Sequence, residues 1–216
     1  MQRETRGAAG DRPEDSVTRM RVVGGDLALD LINTRSGPPV GDPDDEALHG
    51  YDDLVTWALH VGALSDREAA GLRRHIRGDA AGADAVFRRA LRVRDDLDDV
   101  FRALATGRRP SAQHLSRLRD DEVDALGHAE LVERTGGFAW CWEGDRGPAR
   151  PLWPVIHAAT ELLRTGPLDR IKGCAGCRFL FIDESKNRSR RWCSMDDCGA
   201  TEKMRRYVAR RAARSH

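Results

Sequence analysis

Cys174-Ala175-Gly176-Cys177, fifteen further residues, then Cys193-Ser194-Met195-Asp196-Asp197-Cys198: this stretch decides how the C-terminal part of the chain folds. Two close thiolate pairs are what a tetrahedral structural zinc ion requires, and the loop between them lets the pairs converge. A redox CxxC is the competing reading, but no thioredoxin-like βαβ pattern surrounds the motif. No histidine lies between Pro167 and His216, so Cys174, Cys177, Cys193 and Cys198 are the expected zinc ligands. Gly176 is expected to supply a positive φ in the first knuckle. Phe179-Leu180-Phe181-Ile182 reads as a strand covering the site.

The second pair constrains the backbone. Five residues of ideal α-helix turn through about 500°, which leaves the two side chains about 140° apart. Cys193 is therefore placed just before a helix and Cys198 in its first turns, with Ser194 as N-cap. The knuckle, the hairpin and the ligand-bearing helix together make a treble-clef-like arrangement. Along that helix Lys203, Arg206, Arg210 and Arg214 fall within about 80° of one another. Met204 and Val208, with Tyr207 at the margin, are expected to pack on the zinc knuckle. A basic stripe opposite an apolar anchor suits phosphate-backbone contact, with Arg188, Arg190 and Arg191 adding charge and Asn187 able to reach a base edge.

Charge is distributed to match. From Arg170 onward there are 13 Lys and Arg against 5 Asp and Glu, whereas the preceding residues carry 23 against 30. An acidic body with a basic C-terminal piece confines polyanion contact to that piece, unless the basic helix merely lies on the body.

Outward from the cysteines, residues 1–21 read as a disordered tail. Gly24 to Thr34 contains a short apolar helix in which Asp30 and Asn33, three residues apart, are a candidate pocket pair. Helices are expected over Tyr51–Leu59, from the Ser65/Glu68 capping box to about Arg77, over Val86–Leu104, and from Ser111 through Leu118. Their charge-rich faces read as solvated surface. Glu130–Arg134 and Phe138–Trp142 flank Thr135-Gly136-Gly137 as a β-hairpin, its Phe138, Trp140 and Trp142 expected in the core. A last helix spans Pro154–Leu163, and Gly166-Pro167 marks a boundary.

The fifth cysteine, Cys141, reads as a buried thiol. The N-terminus has no apolar leader, and no stretch approaches membrane-spanning length, which together with reduced thiols points to the cytoplasm. His49, His60, His75, His114, His128 and His157 are scattered, and no HExxH, P-loop, GxGxxG or nucleophile elbow is present, so no enzyme is expected.

The run from Cys174 through Asn187-Arg188-Ser189-Arg190-Arg191-Trp192 to Cys198-Gly199 resembles the CGNR zinc finger of bacterial proteins. In that family the finger follows an ABATE domain, which Gly24–Thr34, Tyr51–Trp57 and Leu152–Leu163 resemble. Residues 200–201 are Ala-Thr where the family has Asn-Arg. The resemblance implies a stress-related transcriptional regulator whose finger binds DNA. The expected architecture is α+β: a mostly helical N-terminal domain (22–168) with a small β-hairpin, then the finger (169–216). The expected function is a DNA-binding regulator whose N-terminal domain senses a small-molecule effector or forms a homodimer. The alternative is an RNA- or protein-binding adaptor with a structural zinc site.

Overall fold

The computed structural model describes residues 17–144 and 147–213. The disorder expected over 1–16 and the placement of Arg214 lie outside those residues.

Helix α1 (Leu27–Ile32) is short and buried from Ala28 to Ile32, and the Asp26 side chain caps it by accepting from the Ala28 N–H. It lies against α4 (Ala80–Ala105) and α6 (Trp153–Thr165). At 26 residues α4 is the spine of the fold, about 39 Å long. Helices α2 (Tyr51–His60) and α3 (Asp66–Ile76) pack together and onto α4. The capping box is present: Ser65 accepts from the Glu68 N–H while Glu68 accepts from the Ser65 N–H.

Helix α5 (Ala112–Gly127) runs well past the expected end at Leu118. Its second half hides from a hydrophobic pattern because ions face its neighbour. Asp121 takes Arg89 and Arg92, each at 2.9 Å, and Asp124 takes Arg89 at 2.6 Å. The same lattice corrects the expectation of solvated charge on α4. Arg94 is only 3% exposed and grips Glu46 and Thr34, while Asp96 and Asp98 are buried. Buried charges persist only when paired in this way.

Strands β1 (Arg35–Ser36) and β2 (Asp45–Glu46) clasp the loop after α1. Strands β3 (Glu130–Arg134) and β4 (Gly137–Cys141) form the expected hairpin, with Arg134 opposite Gly137 and Glu130 opposite Cys141. The aromatic row divides. Trp142 leaves the ladder, is buried, and donates its Nε1–H to the Ala125 carbonyl at 2.7 Å. Phe138 and Trp140 are not in the core: they are 69% and 40% exposed on a projecting ribbon. Cys141 is only half-buried.

Strands β5 (Ile171–Gly173) and β6 (Leu180–Ile182) pair antiparallel below the first cysteine knuckle. Ile171, Leu180 and Ile182 join the main core, so β5 and β6 are packed against the N-terminal helices, not appended to them. Arg178 in the knuckle reaches Asp98 at 3.2 Å, and Arg102 donates to the Arg178 carbonyl at 2.6 Å. Residues 17–21, expected to be tail, are ordered as well. Val17 is fully buried, and Arg21 pairs with Asp197 at 2.9 Å.

Candidate metal centre and basic helix

The sulfurs of Cys174, Cys177, Cys193 and Cys198 lie within 4.8 Å of one another. Cys193 is 3.6 Å from Cys177 and 3.7 Å from Cys198, close to the roughly 3.8 Å between sulfurs around a tetrahedral zinc with Zn–S bonds near 2.3 Å. Main-chain N–H groups of Gly176 and Cys193 each donate to Cys174 Sγ at 3.3 Å, as suits a thiolate. Hydrogen bonds from the Cys177 and Cys193 thiols, helped by those amides, push the Cys174 thiol down. The same crowding pushes Cys177 up to about 12, Cys174 being the main cause. Four sulfurs in one place cannot all ionise without a cation between them, and the donor set fits zinc.

Local geometry explains the spacings. Gly176 does not adopt a positive φ, contrary to expectation. Its lack of a side chain matters for proximity: a Cβ there would stand 2.9 Å from the Cys198 Cβ and 3.3 Å from its sulfur. Cys193 precedes an extended Ser194, whose side chain accepts from the Asp196 and Asp197 N–H groups. Met195–Gly199 is then a wide π-type turn, closed by Gly199 N–H to the Ser194 carbonyl at 3.0 Å. Cys193, just outside this turn beyond the extended Ser194, and Cys198, inside it, thus meet with their sulfurs 3.7 Å apart. Phe181 of β6 seals the site, packing with Cys174 and Cys193.

The loop between the pairs is organised by Asp183, a residue that spacing alone does not single out. It is fully buried, accepts from Lys172 at 2.6 Å, and takes the Ser185 and Arg190 N–H groups. Arg190 faces inward. Its guanidinium donates to the carbonyls of Ile182, Trp192 and Cys193 and stacks 4.3 Å over the Phe181 ring. Arg188 pairs with Asp169, while Asn187 and Arg191 are exposed, Arg191 lying 5.4 Å over a half-buried Trp192.

Helix α7 (Ala200–Ala213) follows directly from the π-type turn. Its residues from Lys203 to Ala212 are all exposed. The anchor expected from Met204 and Val208 is therefore absent: they are 63% and 57% exposed, and Tyr207 is similar. Lys203, Arg205, Arg206, Arg210 and Arg211 line the helix, and Glu202 holds Arg205 and Arg206 at 2.6 and 2.7 Å.

Asp30 and Asn33, the candidate pocket pair, are both buried and hydrogen-bonded within the fold. Asp30 accepts the N–H groups of Val23 and Gly24, and Asn33 is bonded to Leu180. Asn33 borders a small cleft, of about 260 Å³, beside Phe179.

Residues 170–211, which hold all four cysteines, match the CGNR zinc finger. Residues 25–166 match ABATE, a family described as "Putative stress-induced transcription regulator". The chain belongs to the ABATE family. The ABATE match thus covers the helical body through α6, and the zinc-finger match begins at Arg170, the last residue of the 3-10 turn Leu168–Arg170. Both matches are regulatory or zinc-finger families, and neither is an enzyme family. No protein of curated function matches the chain. No helix among the described residues is long and apolar enough to cross a membrane.

Proposed function

We propose that the chain is a DNA-binding transcriptional regulator, with the finger contacting DNA and the ABATE region sensing a ligand or dimerising. One observation carries this reading: α7 stands clear of the body with its basic side chains exposed along more than two turns. A helix of this width fits the major groove, and Lys203, Arg206 and Arg210 on one face can reach phosphates. Arg214 extends that stripe in sequence. Asn187, Arg188 and Arg191 flank the finger as further contacts, and Arg190 acts through the fold of the loop. Bound zinc supplies the cross-link that fixes the base of α7; the chain's own residues supply the charge. A broad cleft of about 1060 Å³ along α3, bordered by Arg67, Arg74, His75 and Glu143, offers room for a small effector.

The decisive experiment is binding of the zinc-loaded protein to a random duplex pool across a salt series, with single-stranded RNA as competitor. Salt-sensitive retention with an enriched sequence supports the regulator. A second reading, an RNA- or protein-binding adaptor, draws on the half-buried Trp192 beside Arg191, which could stack on an unpaired base. Preference for the RNA, or no retention of either, would favour it.

A further inference from the structure

The β3–β4 ribbon stands out as an unfinished sheet. It has two strands and pairs with nothing else among the described residues, and a two-stranded ribbon is marginal in water. Leu131, Phe138 and Trp140 share one face with Glu133 and are well exposed. Its two edges are not alike. Strand β3 carries Glu130, Glu133 and Arg134, and charge on an edge strand discourages further pairing. Strand β4, Gly137-Phe138-Ala139-Trp140-Cys141, carries none, and its first four residues are exposed.

The register shows which main-chain groups of β4 are unused. Arg134 and Gly137 close a two-residue connection, so they exchange hydrogen bonds. Alternation makes Val132/Ala139 and Glu130/Cys141 hydrogen-bonded pairs too. The N–H and C=O groups of Phe138 and Trp140 therefore point away from β3.

We propose that the outer edge of β4 pairs antiparallel with β4 of a second copy of this chain, centred on Ala139. In that register Phe138 lies opposite Trp140 of the second copy, and Trp140 opposite its Phe138. Those are the residues whose outward groups are free, so each pair exchanges two main-chain hydrogen bonds. The aromatic rings, exposed in one copy, then cover each other across the strands, a favourable cross-strand pairing. The product is a four-stranded sheet bounded on both sides by charged β3 edges. Pairing stops there, giving a closed two-fold dimer and not a fibre. This deepens the dimerising role proposed for the ABATE region. Its test reads association alone, so it stands or falls apart from DNA binding.

Sedimentation of the zinc-loaded full chain over a wide concentration range should show a monomer–dimer equilibrium. Phe138→Lys with Trp140→Lys should leave a monomer with unchanged zinc content and helical signal. Leu131→Lys, on the same face but on β3, should leave the dimer in place. In the Cys141→Ser background, Ala139→Cys puts thiols at a non-hydrogen-bonded pair on the two-fold axis. The α-carbons there stand about 4.5 Å apart, within disulfide reach. Mild oxidation should give a covalent dimer that reductant reverses and that the background variant lacks. A monomer at every concentration, a dimer indifferent to the lysine pair, a dimer lost on Leu131→Lys, or no cross-link would each overturn the proposal.

Discussion

Asn33 at the end of α1 mimics a strand toward Leu180 of β6: its Nδ2 donates to the Leu180 carbonyl and its Oδ1 accepts the Leu180 N–H, both at 2.9 Å. A buried side chain thus satisfies both main-chain groups of a residue 147 positions away, at the return strand of the zinc knuckle. Asn33→Ala leaves the Leu180 N–H and C=O buried without partners. We expect a loss of about 2–4 kcal/mol in urea unfolding, with zinc content unchanged in the folded protein. A loss under about 0.5 kcal/mol would mean that water replaces the amide without penalty.

The same docking sets the reach of the metal. Cys177→Ser, or chelation, removes the cross-link at the connection between β5 and β6, whose Ile171, Leu180 and Ile182 belong to the main core. Metal binding supplies folding energy. The whole chain, and not residues 170–213 alone, should therefore lose stability: calorimetry should show one transition at lower temperature. Hydrogen exchange should quicken in α1 as well as in the finger. Two separate transitions, with the helical body unaffected, would show the finger to be independent.

How much of this was legible beforehand follows from where the information sits. Cysteine spacing shows the metal centre because zinc geometry restricts ligand spacing tightly. Helices with apolar periodicity, such as α4, and the Ser65/Glu68 cap are local and readable. The second half of α5 is not, because Asp121 and Asp124 face Arg89 and Arg92 where a reader looks for leucines. Arg178 and Asp183 are invisible for a related reason: a charged residue in a loop reads as solvated until its buried partner is known. Phe138 and Trp140 show the opposite failure, apolar residues that the monomer leaves exposed. Asn33 stands out in the sequence as a polar residue in an apolar run, but its partner, the main chain of Leu180, lies 147 positions away and leaves no local signal.

Asp30 makes stability depend on pH in the less common direction. Burial raises its carboxyl to about 6, against the lowering effect of the Gly24 and Val23 N–H groups. Between about pH 4 and 6 the folded chain therefore holds a proton that the unfolded chain has released. Stability from this group falls as pH rises through that window, by up to about 3 kcal/mol. Asn cannot ionise and keeps an oxygen for both N–H groups. The difference between Asp30→Asn and the parent should be near zero at pH 4 and favour the variant increasingly toward pH 7. A flat difference would show that Asp30 ionises at no cost.

Two groups of arginines near the finger look alike in sequence and should behave differently. Arg206 and Arg210 are exposed on α7, where Arg206 donates to Glu202 and Arg210 to the Arg206 carbonyl. Arg190 is bound to three carbonyls of the loop that carries Cys193 and lies over Phe181. Arg206→Ala with Arg210→Ala should keep zinc and the melting temperature. If each arginine meets one phosphate, the slope of log K against log salt for duplex binding should shrink by about 2. Arg190→Ala should instead weaken zinc retention in a chelator competition and lower the melting temperature, since three carbonyls lose their donor. An unchanged salt slope in the double variant would move the contact surface off α7. Normal zinc retention in Arg190→Ala would mean that the loop holds its shape without that guanidinium.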